Sequence, residues 1–375
     1  MPEGACGELV VRTRIGVRAR ALFSAILTSS LLLLLVSCGG TPRAKSDPAP
    51  VLYPPPPAPP RVQFLTSFRT SADIEKGPSA FERFVLGKER TLSAIQGPWG
   101  IAFRDGRAYV CDLKQRTVIV LDLEAREFRS IDDLGAGKLR KPVQCGFDAE
   151  GNFYVADRER RQVVCYDPEM RYLRAYGPLD EGFTPVDVVV DGERVYVCDI
   201  GNRLVQIFDR SSREWLRSIG DPASLTGPTN IALNRAGECH IVDTIRNRVL
   251  VYDEEGRQVR QIGDRGDVVG QFGRAKGIDI DDEGYVYVVD AASEVCQIFT
   301  PEGEIALFFG GHGVGPGDLY LPTDVYLARE GFEYFDKHRD PGFQIEYLIF
   351  IVSQFGPRLV NVYAFGKSKG YRSDP

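Results

Sequence analysis

Residues 185–220 read PVDVVVDGERVYVCDIGNRLVQIFDRSSREWLRSIG, and the order of apolar runs and turn residues in this stretch decides the fold. Val186 to Val190 is apolar apart from Asp187, the pattern of a strand buried on both sides. Asp191-Gly192 supplies a tight turn, because glycine tolerates the left-handed backbone that a short hairpin demands. Val195 to Cys198 forms a second strand, Asp199 to Arg203 a loop, Leu204 to Phe208 a third strand and Trp215 to Ile219 a fourth, closed by Gly220. The whole is one small antiparallel sheet.

The phrase recurs. A leading proline or alanine, an apolar run, a turn and a strand ending in Asp appear at Pro98 to Val120, Pro142 to Tyr166, Pro185 to Phe208, Pro228 to Tyr252, Ala275 to Phe299 and, interrupted, Pro322 to Tyr363, a spacing of 43 to 47 residues. Asp105-Gly106, Glu150-Gly151, Ala236-Gly237 and Glu283-Gly284 occupy the first hairpin of the neighbouring units. A period of this length built from strand-sized segments predicts stacked small sheets, and an all-β six-bladed β-propeller closes such a stack into a ring.

The repeat resembles the NHL repeat, whose phrase of a proline, small residues and "GIA", a hairpin glycine, "VYVxD" and "VxxF/YD" is met by Pro98-Trp99-Gly100-Ile101-Ala102, by Val195-Tyr196-Val197-Cys198-Asp199 with Asn202, and by Arg248-Val249-Leu250-Val251-Tyr252-Asp253. The resemblance extends over about Val62 to Tyr363. As a whole the chain is similar to the NHL-type six-bladed propeller lipoproteins of bacteria. That likeness implies architecture strongly and activity weakly, because propellers host binding proteins and enzymes alike.

The sixth unit lacks a fourth strand of its own. Strands are expected at Asp324 to Leu327, Tyr347 to Val352 and Leu359 to Tyr363, after which the chain turns basic and polar. Val62 to Phe68 has the character of the missing strand and is expected to complete this blade, covering an open sheet edge and joining the two ends of the domain. From Ser71 to Glu89, the spacing of Phe81, Phe84, Val85 and Leu86 predicts a short amphipathic helix on the rim. Arg329 to Ile345 is an insertion carrying Phe332, Tyr334, Phe335, His338 and Phe343, readable as a partner surface or as a loop tucked against its own blade.

Residues 1–37 read as an address. Arg12, Arg14, Arg18 and Arg20 precede the apolar stretch Ala21 to Val36, and Leu35-Val36-Ser37-Cys38 follows. The tetrapeptide resembles a bacterial lipobox, which implies a lipoprotein signal peptide removed before a lipidated Cys38 and a membrane partnership through that lipid. Gly39 after the cysteine implies, by the sorting rule of such lipoproteins, an outer-membrane protein facing the periplasm. Residues 38–60 add a proline-rich run expected as an extended spacer, leaving 61–375 as the propeller. Lys and Arg together number 46 against 52 Asp and Glu, interspersed without a basic stripe, so nucleic acid is not expected as a partner.

Two rings of residues emerge when the units are aligned. Two positions after the leading residue stand Gly100, Gln144, Asp187, Asn230, Gly277 and Asp324, at the start of each innermost strand. Gln144, Asp187, Asn230 and Asp324 could converge at the channel mouth to hold Ca²⁺, another divalent cation or a polar ligand, or could each satisfy backbone groups at a strand start. The second ring is Asp112, Asp157, Asp199, Asp243 and Asp290, with Arg116, Arg161, Arg203 and Arg248 shortly after, and Gln354 and Arg358 in the sixth unit. Its repetition argues for a structural loop ring of Asp-to-Arg pairs.

Other chemistry finds little support. Beyond Cys6 and Cys38, the cysteines Cys111, Cys145, Cys165, Cys198, Cys239 and Cys296 are placed as small buried hydrophobes rather than as a disulfide framework, and no CxxC occurs. His240, His312 and His338 are unpaired in sequence, and the GxSxG of serine hydrolases is absent. The resulting expectation is a membrane-anchored scaffold that binds a ligand or a protein partner of the cell envelope. The alternative is a divalent-metal-dependent lactonase or lyase with its site at the channel mouth.

Overall fold

A computed structural model describes residues 49–77, 84, 92–131 and 135–369. Six antiparallel sheets follow one another around a channel, five of four strands and one of five. The third is representative, with strands Pro185–Asp191, Arg194–Asp199, Leu204–Asp209 and Trp215–Ile219 in spatial order. Its first turn places Gly192 at φ 53°, a conformation that a side chain would strain. Burial fades outward: Val195, Val197 and Ile207 are enclosed, whereas Trp215 and Leu216 on the outermost strand are about half exposed.

The innermost strands are Pro98–Arg104, Pro142–Phe147, Pro185–Asp191, Pro228–Leu233, Ala275–Ile280 and Pro322–Ala328. Five begin at a proline, which lacks an N–H and so marks where the ladder starts. Just after that first residue every one of them shifts register against its second strand. No single core fills the molecule. Instead there are six apolar clusters, each made chiefly by the facing sheets of two neighbouring blades; one joins Ile101, Phe103, Val110 and Ile119 of the first blade to Phe350, Val352 and Val362 of the sixth.

Closure follows the expected route. Val62–Phe68 pairs antiparallel with Val360–Ser368, from Val62 opposite Phe365 to Phe68 opposite Val360. The proline-rich segment also joins in, which the reading of residues 38–60 as spacer did not anticipate. Leu52–Tyr53 pairs with Gln63 and Val62 as a fifth strand, and the Tyr53 hydroxyl donates to the Gly317 carbonyl at 3.0 Å. Val51-Leu52-Tyr53 is an apolar, β-prone triplet flanked by prolines, so it docks on a free edge that proline itself could not pair with.

The insertion of the last blade is tucked in rather than displayed. Phe332–His338 forms a 3₁₀ helix; Phe335 and Phe343 are 1% exposed, and the Phe335 ring lies 6.0 Å from Phe350 and 6.5 Å from Phe68. Gln63 pins it, donating to the His338 carbonyl at 3.0 Å and accepting from the Asp340 N–H at 3.1 Å. The aromatics thus serve as core for the closing strand. Of the rim helix expected over Ser71 to Glu89, a 3₁₀ turn at Ser71–Asp73 is seen and Phe84 is helical, and residues 78–83 and 85–91 lie outside the described residues, as do the signal segment and Cys38. Among the described residues no helix is long and apolar enough to cross a membrane.

Phe350→Ala is expected to lower stability by about 3–5 kcal/mol, read by chemical denaturation, because it empties the interface between the last and first blades. Deleting residues 50–68 is expected to abolish a single cooperative unfolding transition in calorimetry, and retention of that transition would refute the latch.

Candidate functional site

The channel wall is built from edge strands, and an unpaired edge in a narrow channel leaves backbone N–H groups that need acceptors. Three carboxyls supply them. Asp187 accepts from its neighbour Val188 at 2.7 Å and from Ile231 of the next blade at 2.8 Å. Asp324 accepts from Ile101 of the first blade at 2.9 Å and from the Gln144 side chain at 2.8 Å. Asp279 repeats the plan two positions deeper, accepting from Ile280 at 2.8 Å and from Leu327 of the next blade at 2.7 Å. Each carboxyl is a tie between adjacent innermost strands.

The glycines of the ring are explained by close approach. A Cβ at Gly100 would stand 2.0 Å from Oε1 of Gln144, so the bare backbone lets the second blade's glutamine pass over the first to reach Asp324 of the sixth. A Cβ at Gly277 would lie 2.4 Å from the Asp324 backbone. Gln144, Asp187 and Asp324 line a cavity of about 180 Å³ together with Asp279 and Tyr326; Asn230, though buried, does not line it. Asp279 and Tyr326 were missed in the sequence, where the signal was one carboxylate within the apolar run Ile278-Asp279-Ile280.

Burial and like charge set the protonation of these carboxyls. Burial pushes the Asp187 carboxyl up to about 7 despite the two N–H groups that favour its charged form, with the negative charge of Asp279 adding to the rise. Burial likewise raises Asp279 to about 6, and it holds Asp324 well above the carboxylate range, reinforced by Asp187. No three His, Cys, Asp or Glu among the described residues are grouped to hold a metal. Gln144, Asp187, Asn230 and Asp324 are thus not brought together as a metal-holding group among the described residues.

The second ring is structural, but not by the expected pairing. Asp112 accepts from the N–H groups of Gln96 and Gly97, Asp157 from Arg140 and Lys141, Asp199 from Thr184, Asp243 from Thr226 and Gly227, and Asp290 from Gly273 and Arg274. Each fastens the loop that enters its own blade. Arg116, Arg161 and Arg203 occupy the left-handed corner of the next turn, with φ of 60°, 56° and 58°, and Asn247 and Glu294 take that corner in the fourth and fifth blades. From there a side chain leaves its own Asp: Arg116 pairs with Glu159 of the next blade, and Arg161 donates to the Phe183 carbonyl at 3.2 Å. Arg248 alone approaches its Asp, at 3.8 Å from Asp243. In the sixth blade Ser353, not Gln354, stands opposite Pro322, while Arg358 reaches the Val314 carbonyl. The six cysteines of the propeller are all buried and unbridged.

At the channel end marked by the leading prolines, the second residues of the innermost strands are Trp99, Val143, Val186, Thr229, Lys276 and Thr323. Lys276 is 8% exposed, its ammonium 5.3 Å from the centre of the Trp99 ring. Burial lowers it to about 8, and the nearby Arg274 adds to the fall.

The carboxyl ties fix a pH dependence. An unfolded Asp titrates near ~3.9, so between about pH 4 and pH 7 the folded protein holds protons on Asp187 and Asp279 that the unfolded chain has released. Stability is therefore greatest at the acid end of this window and falls as pH rises through it. Asp187→Asn is expected to cost about 1–3 kcal/mol at pH 5, because an amide NH₂ now meets a backbone donor, and to lessen the fall toward pH 8. Melting temperatures from pH 4.5 to 8 test this, and a flat wild-type profile contradicts it.

A family model described as a 6-bladed beta-propeller matches residues 224–303, the fourth blade and most of the fifth. The human (Homo sapiens) E3 ubiquitin-protein ligase NHLRC1 is 30% identical over 95 residues, which are 25% of this chain and 24% of that protein, so the chain spans about a quarter of the curated relative it matches. Among solved structures, a gluconolactonase from Xanthomonas campestris superposes with a TM-score of 0.54 at 15% identity, over 86% of this chain and 99% of that one. A Bacteroides thetaiotaomicron protein of unknown function gives 0.55 at 15% identity over 81% and 75%. A catalytically inactive virginiamycin B lyase from Staphylococcus aureus, with quinupristin, gives 0.50 at 12% identity over 72% and 85%. At such identities these likenesses show the fold alone. Repeat phrase, sheet order and closure together make this chain an NHL-like six-bladed β-propeller.

Proposed function

We propose that the protein is a lipid-anchored binding module, held at the outer membrane through Cys38 and facing the periplasm, whose rigid ring presents a site to a ligand or to a protein of the cell envelope. The observation that carries binding over catalysis is the commitment of the channel carboxyls. Asp187, Asp279 and Asp324 each hold backbone N–H groups of a neighbouring blade, so none stands free as a general base or a metal ligand. A lactonase or lyase of the metal-dependent kind would need both. Leu35-Val36-Ser37-Cys38 supports the anchor, and thirteen residues, 39 to 51, separate Cys38 from the first strand at Leu52. Fully extended, these reach about 45 Å, which keeps the ring close to the membrane surface.

Cys38→Ala is expected to move the protein from the membrane fraction to the soluble one with its melting temperature unchanged. An equal membrane fraction in wild type and variant would remove the anchor. Ca²⁺ or EDTA is expected to leave melting of the wild type unchanged within error; a Ca²⁺-dependent rise would reinstate the metalloenzyme.

A further inference from the structure

Because the strands of each sheet alternate in direction, two kinds of loop lie at the end of the ring marked by the leading prolines: those that enter a blade and those that join its second strand to its third. Where the sixth blade meets the first, these loops expose three large apolar side chains. Leu92 in the loop entering the first blade, Val314 in the loop entering the sixth and Phe355 between Phe343–Ser353 and Val360–Ser368 are 45 to 65% exposed. Two arginines link the loops that carry them. Arg358 donates to the Val314 carbonyl, and Arg69 to the Gly356 carbonyl at 3.4 Å. The Ser71 N–H donates to the Ser93 carbonyl at 2.8 Å, which holds the backbone beside Leu92 at the same corner.

The hairpin end is different. Its turns include Asp253-Glu254-Glu255, Asp281-Asp282-Glu283 and Glu302 with Glu304, and outside the strands its described loops hold more Asp and Glu than Lys and Arg. At the leading-proline end that balance reverses, and the aspartates of the second ring are buried. In the described loops of the hairpin end, Tyr285 is the one exposed large apolar side chain.

The tether arrives at the apolar corner. Leu52–Tyr53 runs antiparallel to Val62–Phe68, so the chain traced back from Tyr53 to Val51 heads toward the leading-proline end, where Phe68 lies opposite Val360. A Cβ on Gly317, whose carbonyl holds the Tyr53 hydroxyl, would stand 3.1 Å from the Val51 side chain, and Gly317 shares its loop with Val314. A leash fixed at one corner presents that corner first.

We infer that this corner rests on an anionic phospholipid surface, with Leu92, Val314 and Phe355 in the headgroup layer and Arg69 and Arg358 facing phosphate, so that the acidic hairpin end stands away from the membrane. Apolar side chains flanked by cations suit that interface, and each guanidinium keeps N–H groups beyond the one that meets a carbonyl. The inference rests on the lipid-anchor reading and adds which face meets the bilayer.

Val314→Trp and Tyr285→Trp place an indole at either end of the ring, above the emission of Trp99 and Trp215 measured in the parent. With the lipidated full chain on vesicles of phosphatidylcholine and phosphatidylglycerol, brominated phosphatidylcholine is expected to quench the added emission of Val314→Trp at least about twofold and to leave that of Tyr285→Trp unchanged. Leu92→Trp is expected to behave as Val314→Trp. Adding Phe355→Glu to Val314→Trp is expected to restore at least about half of the lost emission, with melting unchanged because Phe355 lies outside the core. Equal quenching at the two ends, quenching of Tyr285→Trp alone, or a loss of emission that Phe355→Glu leaves in place would overturn the inference. Vesicle association that is absent or independent of Cys38 removes the anchor and this inference with it, whereas Cys38-dependent association with equal quenching at both ends overturns the face alone.

Discussion

The pairing of Val62–Phe68 with Val360–Ser368 is the contact on which the ring depends. Apolar burial in this molecule is divided among six interfaces between neighbouring blades, and five of them are made by sheets adjacent along the chain. The sixth joins the last blade to the first, across the greatest separation in sequence. It forms only when a strand from the start of the domain completes the sheet made by its end. Without it two large apolar faces and two sheet edges open at once, and burial of this size is what opposes chain entropy in a domain of marginal stability. The buried insertion and the short strand Leu52–Tyr53 reinforce the same seam.

Around the channel, hydrogen bonds do what apolar packing cannot. The innermost strands are edges, and the register shift after each leading residue turns N–H groups toward the axis. Carboxyls at Asp187, Asp279 and Asp324 take these donors across blade boundaries, which sets the blades at fixed rotation as well as fixed distance. The same burial that makes the ties short keeps the carboxyls near neutrality. A protonated carboxyl still accepts hydrogen bonds, so the ties persist while the repulsion between three like charges is relieved.

Backbone chemistry was legible in the sequence because it is local. A leading proline marks a strand start through its missing N–H, and a hairpin glycine marks a turn through its positive φ, wherever the rest of the chain goes. Each blade carries at least one of these two signals, the fifth beginning at Ala275 but keeping its hairpin Gly284 and the sixth keeping Pro322, while the orphan strand Val62–Phe68 is read from its apolar pattern. Side-chain partners were not legible, because they depend on direction. Arg116, Arg161 and Arg203 follow their aspartates at pairing distance in sequence, yet all three take a left-handed corner, from which Arg116 and Arg161 reach the next blade. Gln144 and Asp324 share a ring position in alignment, but only the missing side chain of Gly100 lets one bond the other. Phe335 and Phe343 could be read as displayed or buried until the closing strand showed what they cover.

Departures from sixfold repetition separate scaffold from site. The loop aspartates are nearly uniform, and uniform positions do one job in every blade. Asp187, Asp324 and Asp279 break the repeat at the third and fifth positions, and each break is answered by a donor in the next blade. Trp99 and Lys276 break it at the second position with a different outcome: the ammonium of the fifth blade lies 5.3 Å from the centre of the first blade's indole ring.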